Sequence, residues 1–177
     1  SILDEAPEIR FRLMLLGIEE FNKINTLNSR AFGDQVLKAT AENLLQALPE
    51  EVNLYRYEGD QFLVAGAGAT REEMLNIYRH VQQYALRSHR VEGQPCRFSV
   101  SAGLVAYPED GDNWSDLEKK AAIALKRAKL NGKNQCVEFK HSMLREQIDN
   151  QLLTNCMAES VEKDFEGFRL VFQPLCG

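Results

Sequence analysis

Two strand-like runs, Val52-Asn53-Leu54-Tyr55-Arg56-Tyr57 and Phe62-Leu63-Val64-Ala65, are separated by a short acidic turn with one glycine, Glu58-Gly59-Asp60-Gln61. Two β-prone runs joined in this way read as a β-hairpin. The tip gathers two carboxylates and an amide at Glu58, Asp60 and Gln61. Acids and glycine are also ordinary turn residues, so the tip alone does not separate a functional turn from a plain one.

The elements around the hairpin limit the fold further. Phe11-Arg12-Leu13-Met14-Leu15-Leu16-Gly17-Ile18 is nearly continuous in apolar residues and reads as a strand buried on both faces. A short helical turn follows over Glu19 to Asn25. A longer helix from about Ser29 to Leu48 carries Phe32, Val36, Leu37, Leu44 and Leu48 at helical spacing. After the hairpin, Thr70-Arg71-Glu72-Glu73 has the capping-box pattern and opens a helix to about Ser88. Arg97 to Ala106 reads as a strand, stopped by Pro108 and an Asp110-Gly111 turn. Ser115-Asp116-Leu117-Glu118 is a second capping box, whose helix runs to about Asn131 and stops at Gly132. Its apolar face, Leu117, Ala121, Leu125 and Ala128, is narrow enough to pack closely on a sheet. Cys136 to Phe139 reads as a short last strand.

Alternation of this kind predicts an α+β fold: a ferredoxin-like βαββαβ core with a mixed, mainly antiparallel sheet and helices packed on it. The hairpin arms and Phe11–Ile18 are expected at its centre, with Gly17 and Asp60 close at one edge. The chain has 177 residues and a net charge of −5. That balance opposes broad electrostatic binding of nucleic acid, and no apolar run is long enough to span a bilayer. A ferredoxin-like RNA binder is further opposed by the lack of an aromatic RNA-binding signature on a central strand. The opening residues carry no signal-peptide pattern, and the chain reads as a fragment of a longer protein. Cys96, Cys136, Cys156 and Cys176 form no Cys-x-x-Cys pair, which fits free thiols in a reducing cytoplasm and no zinc site. His80, His89 and His141 sit in polar stretches and none reads as a ligand or base.

The hairpin tip resembles the signature of the GGDEF family, the diguanylate cyclase domains. The family's Gly-Gly-Asp-Glu-Phe stands here as Glu58-Gly59-Asp60-Gln61-Phe62, preceded by Arg56-Tyr57. The resemblance extends from about Phe11 to Phe139 and implies a nucleotide-cyclase, palm-like fold. It also implies a reaction in which two GTP molecules, one on each of two facing domains, are joined with the help of Mg2+ bound by hard carboxylate ligands. A homodimer is thus among the expected partners.

Carried over residue by residue, the resemblance implies a damaged metal site. The strand-end aspartate of the family falls on Gly17. The third-letter acid is kept as Asp60, the fourth-letter glutamate is the neutral Gln61, and the first-letter glycine is the anion Glu58. Glu19 shares the face of Gly17 on an extended strand, but its greater reach is a poor replacement. Asn25 and Asp34 match residues that hydrogen-bond the guanine edge; Lys129 and Lys133 match basic residues that meet the phosphates. Asp34 also suits a helix-start acid, and the lysines suit a helix C-terminus. The inhibitory Arg-x-x-Asp of the family is replaced by Pro49-Glu50-Glu51-Val52, so product inhibition there is not expected.

From Met143 onwards a polar helix with no sheet partner reads as a linker, and Phe168-Arg169-Leu170-Val171-Phe172-Gln173-Pro174-Leu175 resembles the first strand of an EAL domain, the cyclic di-GMP phosphodiesterase family. The expected organisation is a GGDEF-like domain over 1–140, a linker helix over 141–166 and the start of an EAL domain over 167–177. The function expected is a catalytically degenerate domain, inactive as a diguanylate cyclase, with Mg2+ binding weakened, that binds GTP weakly and regulates its own EAL domain. The alternatives are an active cyclase with a variant metal site, and a docking or dimerisation module that binds no nucleotide.

Overall fold

The computed structural model describes residues 10–87 and 89–146. The linker beyond residue 146 and the EAL-like strand therefore lie outside the described residues. Internal contacts divide the chain into Ser1–Phe139 and Lys140–Gly177. Of the second unit only residues 140–146 are described, helical from 141.

In the first unit the chain runs β1 (Phe11–Ile18), α1 (Phe21–Leu27), α2 (Arg30–Ala47), β2 (Val52–Arg56), β3 (Gln61–Ala67) and α3 (Arg71–Leu86). It continues as β4 (His89–Val91), β5 (Gln94–Cys96), β6 (Val100–Tyr107), α4 (Trp114–Leu130) and β7 (Cys136–Glu138). Five strands form one sheet in the order β2-β3-β1-β6-β7. β1 is antiparallel to both β3 and β6, and β7 adds parallel to β6. Strands β6-β1-β3-β2 with α2 and α3 are the expected βαββαβ core, and the sheet is mixed but mainly antiparallel. One expectation is corrected: only β3 of the hairpin is central. β2 is the edge strand, because its other side finds no partner among the described residues, and its exposed residues such as Tyr55 fit that place.

The apolar run of β1 is buried on both faces, with Leu13, Met14, Leu15, Leu16 and Ile18 at 0–2% exposure. Met14, Leu16 and Ile18 join the core formed with α2 and α3, including Val36, Leu44, Met74 and Val81. Leu13, Leu15 and Gly17 alternate to the opposite face, where α4 packs: Leu125 and Lys129 lie over Gly17. The close approach of α4 depends on Gly103 of β6. A Cβ there would stand 2.3 Å from the Ala121 carbonyl oxygen and 2.4 Å from the Leu125 nitrogen.

The Thr70 capping box is complete. The Glu73 amide donates to Thr70 Oγ1 at 3.1 Å, and the Thr70 amide donates to Glu73 Oε2 at 2.8 Å. The second expected box is corrected. The cap of α4 is Asn113, whose Oδ1 accepts from the Asp116 amide at 2.8 Å, so Ser115 already lies inside the helix. The small β4–β5 hairpin was not expected. The strand read from Arg97 begins only at Val100. The segment before it is tied to its neighbours, with the Phe98 amide donating to Ala85 O at 2.9 Å and Ser99 O accepting from the Glu19 amide at 2.9 Å.

Candidate functional site

Strand register brings the hairpin tip to the end of β1. Gly17 pairs with Gln61, Leu16 pairs with Phe62, and the Ile18 amide donates to Asp60 O at 3.2 Å. Gly17 and Asp60 therefore meet at one edge of the sheet, as the sequence led us to expect. The turn closes through Gln61 N–H to Glu58 O at 2.8 Å and Tyr57 N–H to Gln61 O at 3.0 Å. Gly59 takes the left-handed conformation, φ 52°, which glycine enters without the Cβ penalty. The Arg56 guanidinium donates to Gly59 O at 2.6 Å and stands 5.3 Å over the Phe62 ring. Phe62 is buried at 1% exposure and anchors the turn, leaving Glu58 exposed and Asp60 half-buried. On the flank of the tip, a hydrogen bond to Glu118 pushes the Tyr57 hydroxyl up to about 12.

A cleft of about 390 Å³ opens between this tip and α1–α2. Asn25, Asp34, Gly59 and Asp60 line it, together with Arg30 and Arg56. Three of the residues singled out from the sequence thus share one cleft although they lie on three elements. Asn25 is wedged on α1: a Cβ on Gly33 would stand 1.8 Å from its Oδ1, so a glycine at that turn of α2 makes room for the amide. That Oδ1 is buried and accepts no hydrogen bond among the described residues. A buried acceptor left unsatisfied is uncommon and costly. Arg30 and Arg56 were not singled out from the sequence. The only signal for Arg56 was its place directly before the tip, and Arg30 reads as an ordinary first residue of a helix.

The other three positions lie elsewhere. Lys129 Nζ stands 3.5 Å from where a Cβ of Gly17 would be. Lys133 has φ 65°, and its Nζ pairs with Glu20 Oε1 at 3.2 Å, which draws the Glu20 carboxyl below its ordinary range. Glu19 does not line the cleft that Asp60 lines. It is buried at 6% exposure, and its Oε1 has no hydrogen-bond partner among the described residues. It lines a separate cavity of about 540 Å³ with Ile24, Phe32, Phe98 and Lys133.

The side-chain carboxylates at the β1–β3 edge are reduced, with Asp60 remaining. Mg2+ takes one or two carboxylates besides phosphate and water. Here Gly17 offers no side chain, Gln61 is neutral, and an ammonium stands over Gly17. Among the described residues no group of three or more histidine, cysteine or acidic side chains could hold a metal. Elsewhere Cys96 is buried and Cys136 half-buried, both as free thiols; Cys156 and Cys176 lie outside the described residues. No helix among the described residues is long and apolar enough to cross a membrane.

Comparison with known proteins agrees with this architecture. The GGDEF domain of YfiN (TpbB) from Pseudomonas aeruginosa superposes with a TM-score of 0.75 at 22% identity, over 82% of this chain and 85% of that one. An EAL/GGDEF domain protein from M. capsulatus superposes with a TM-score of 0.69 at 25% identity, over 76% and 88% of the two chains. In sequence, the chain is 27% identical over 132 residues to the cyclic di-GMP phosphodiesterase NbdA of Pseudomonas aeruginosa, covering 75% of this chain and 17% of that protein. It is 26% identical over 160 residues to the bifunctional diguanylate cyclase/cyclic di-GMP phosphodiesterase MucR of the same organism, covering 87% and 22%. The chain therefore spans about a fifth of the length of these relatives. The family described as "Diguanylate cyclase, GGDEF domain" matches residues 3–135. With its sheet order, its signature hairpin and three-quarters of its length in that match, the chain belongs to the GGDEF family of cyclic di-GMP signalling domains.

Proposed function

We infer that this is a catalytically degenerate GGDEF domain that binds a guanine nucleotide weakly, with its metal site impaired, and regulates an adjoining EAL phosphodiesterase. The observation that carries the reading is the contrast between the two halves of the site. Asn25 and Asp34 both line the cleft, and the Asn25 amide oxygen has no hydrogen-bond partner among the described residues. The strand edge has lost a carboxylate at Gly17 and a charge at Gln61. Guanine presents an N–H and an amino group along one edge, both donors, and the carboxylate of Asp34 with the amide oxygen of Asn25 supplies matching acceptors. Adenine offers a donor beside an acceptor and leaves one of these groups unpaired, which discriminates strongly in a desolvated site. Phosphoryl transfer relies on neutralising charge at the phosphates, and here Glu58 adds a negative charge while the metal ligands are depleted. Relatives that join GGDEF and EAL functions in one protein support the regulatory part of the reading.

Two measurements test it. Calorimetry on the domain gives GTP binding in preference to ATP, weakened more by Asp34→Ala than by Lys133→Ala, because base reading carries the selectivity. Incubation with GTP and magnesium or manganese gives no detectable cyclic di-GMP. Equal affinity for ATP and GTP, or no binding of either, leaves a docking or dimerisation module. Clear product formation means an active cyclase with a variant metal site.

A further inference from the structure

The cavity of about 540 Å³ shares no lining residue with the Asn25–Asp34 cleft, and the nucleotide reading makes no use of it. Its walls are mostly apolar: Ile24 and Leu27 of α1, Phe32 of α2, Leu86 of α3, Cys96 of β5, and Phe98 just before β6. One carboxylate stands among them and is itself buried. Glu19 is 6% exposed, and its Oε1 has no hydrogen-bond partner among the described residues. Its backbone is pinned, since the Glu19 amide donates to Ser99 O at 2.9 Å. A carboxylate withdrawn from water is costly unless a partner pairs with it. The two lysines that line the same cavity are engaged elsewhere: Lys23 and Lys133 pair with the exposed Glu20, at 3.4 and 3.2 Å. Arg97, also on the lining, is exposed, where water and salt screen its charge. The backbone adds a second sign. Glu20, Lys133 and Asn134 line the cavity with φ of 53°, 65° and 53°. Residues other than glycine seldom adopt this left-handed region, and such strain clusters where ligands are held.

We propose that this cavity is a binding site in its own right, for a small organic cation: an amine or guanidine carried on an apolar body. The cationic N–H groups donate to Glu19, and the body lies against Ile24, Phe32, Leu86 and Phe98. A volume of about 540 Å³ is of the size that takes small molecules. A cation is favoured over a neutral donor, because a charge-assisted pair away from bulk water is the stronger one. The site stands without the guanine-nucleotide reading, but the two meet at one element. Helix α1 gives Ile24 to this cavity and Asn25 to the cleft, so an occupant rests against the helix that carries a guanine-reading side chain.

The test uses the 177-residue chain at neutral pH, with phenethylamine as the probe. Phenethyl alcohol and hydrocinnamate are its neutral and anionic counterparts of similar size. Calorimetry is expected to give saturable binding of the amine, tighter than either counterpart by about tenfold or more, the usual worth of a hydrogen bond to a charged group. Backbone amide shifts on adding the amine are expected at Ile24, Leu27, Phe98 and Ser99. Glu19→Gln keeps the size of the side chain and removes its charge, and it brings the amine down to the affinity of the alcohol. If that variant does not fold, the ranking of the three probes and the shift map on the native chain decide alone. No saturable binding of the amine overturns the proposal. So does equal affinity for amine and alcohol, an amine affinity unchanged in Glu19→Gln, or shifts confined to the Asn25–Asp34 cleft.

Discussion

Asn25 lines the cleft and packs closely on Gly33 of α2, which couples the shape of the cleft to stability. A methyl group on Gly33 would overlap the Asn25 amide, at 1.8 Å from Oδ1, with the Phe21 ring at 3.0 Å behind it. Gly33→Ala is expected to destabilise the domain by about 1–3 kcal/mol, the range for overpacking a well-filled site. Asn25→Ala in the same background restores most of that loss, since it removes the group that clashes. Urea denaturation of the single and double variants measures this; equal losses in both would mean that Asn25 is not what Gly33 accommodates. A second single-residue effect depends on pH. The Cys136 thiol is pushed up from 9.0 to about 12, by burial first and by the Glu138 carboxylate second. Below 9.0 the thiol is neutral in both folded and unfolded chains and stability does not depend on it. Between 9.0 and about 12 the unfolded chain loses the proton and the folded one keeps it, so this contribution declines as pH rises. Melting temperature is expected to fall across that interval, and less steeply in Cys136→Ala, where only other raised groups such as Tyr57 remain. A slope unchanged by Cys136→Ala would show that the thiol takes no part. At this scale the sequence made Asp34 and Asn25 legible because their interval survives the fold. It could not make Lys129's place over Gly17 legible, because that contact is set by how α4 lies on the sheet.

Elements were legible where one signal dominated. The apolar run of β1, the helical spacing in α2 and the Thr70 box each had a single reading, and the structure has them within a few residues. Where two signals competed, the sequence misled. Asn113-Trp114-Ser115-Asp116 and Ser115-Asp116-Leu117-Glu118 both place a capping residue three positions before an acid. The earlier one wins, because Asn113 accepts the Asp116 amide and Asp116 adds a favourable charge in the first turn. Asn113→Ala is therefore expected to cost about 1 kcal/mol and Ser115→Ala to stay within about 0.5 kcal/mol. Thermal or urea unfolding decides, and the reverse order would return the cap to Ser115. The β4–β5 hairpin escaped notice for a different reason. Its strands have three residues each, and one contains Pro95, which ordinarily demotes a run to non-strand. It forms as an isolated two-stranded pair, where no second neighbour needs the missing N–H.

At the scale of the whole protein, the match spans only 17–22% of relatives such as NbdA and MucR, so regulation of the kind proposed would act between domains. For a protein in which it precedes an EAL phosphodiesterase, occupancy of the Asn25–Asp34 cleft matters only if GTP binds the active and inactive states with different affinity. Linkage then makes the effect reciprocal: the factor by which GTP changes cyclic di-GMP affinity is the factor by which cyclic di-GMP changes GTP affinity. Coupling of this kind is typically about 5- to 150-fold. The intact protein, kept from hydrolysing cyclic di-GMP by withholding the metal of its phosphodiesterase, allows both arms to be measured at equilibrium. GTP affinity is expected to shift when cyclic di-GMP saturates the partner domain, and Asp34→Ala to abolish the reciprocal shift without touching the phosphodiesterase site. GTP affinity unchanged by cyclic di-GMP would refute regulation by occupancy, because a ligand that binds both states equally moves neither.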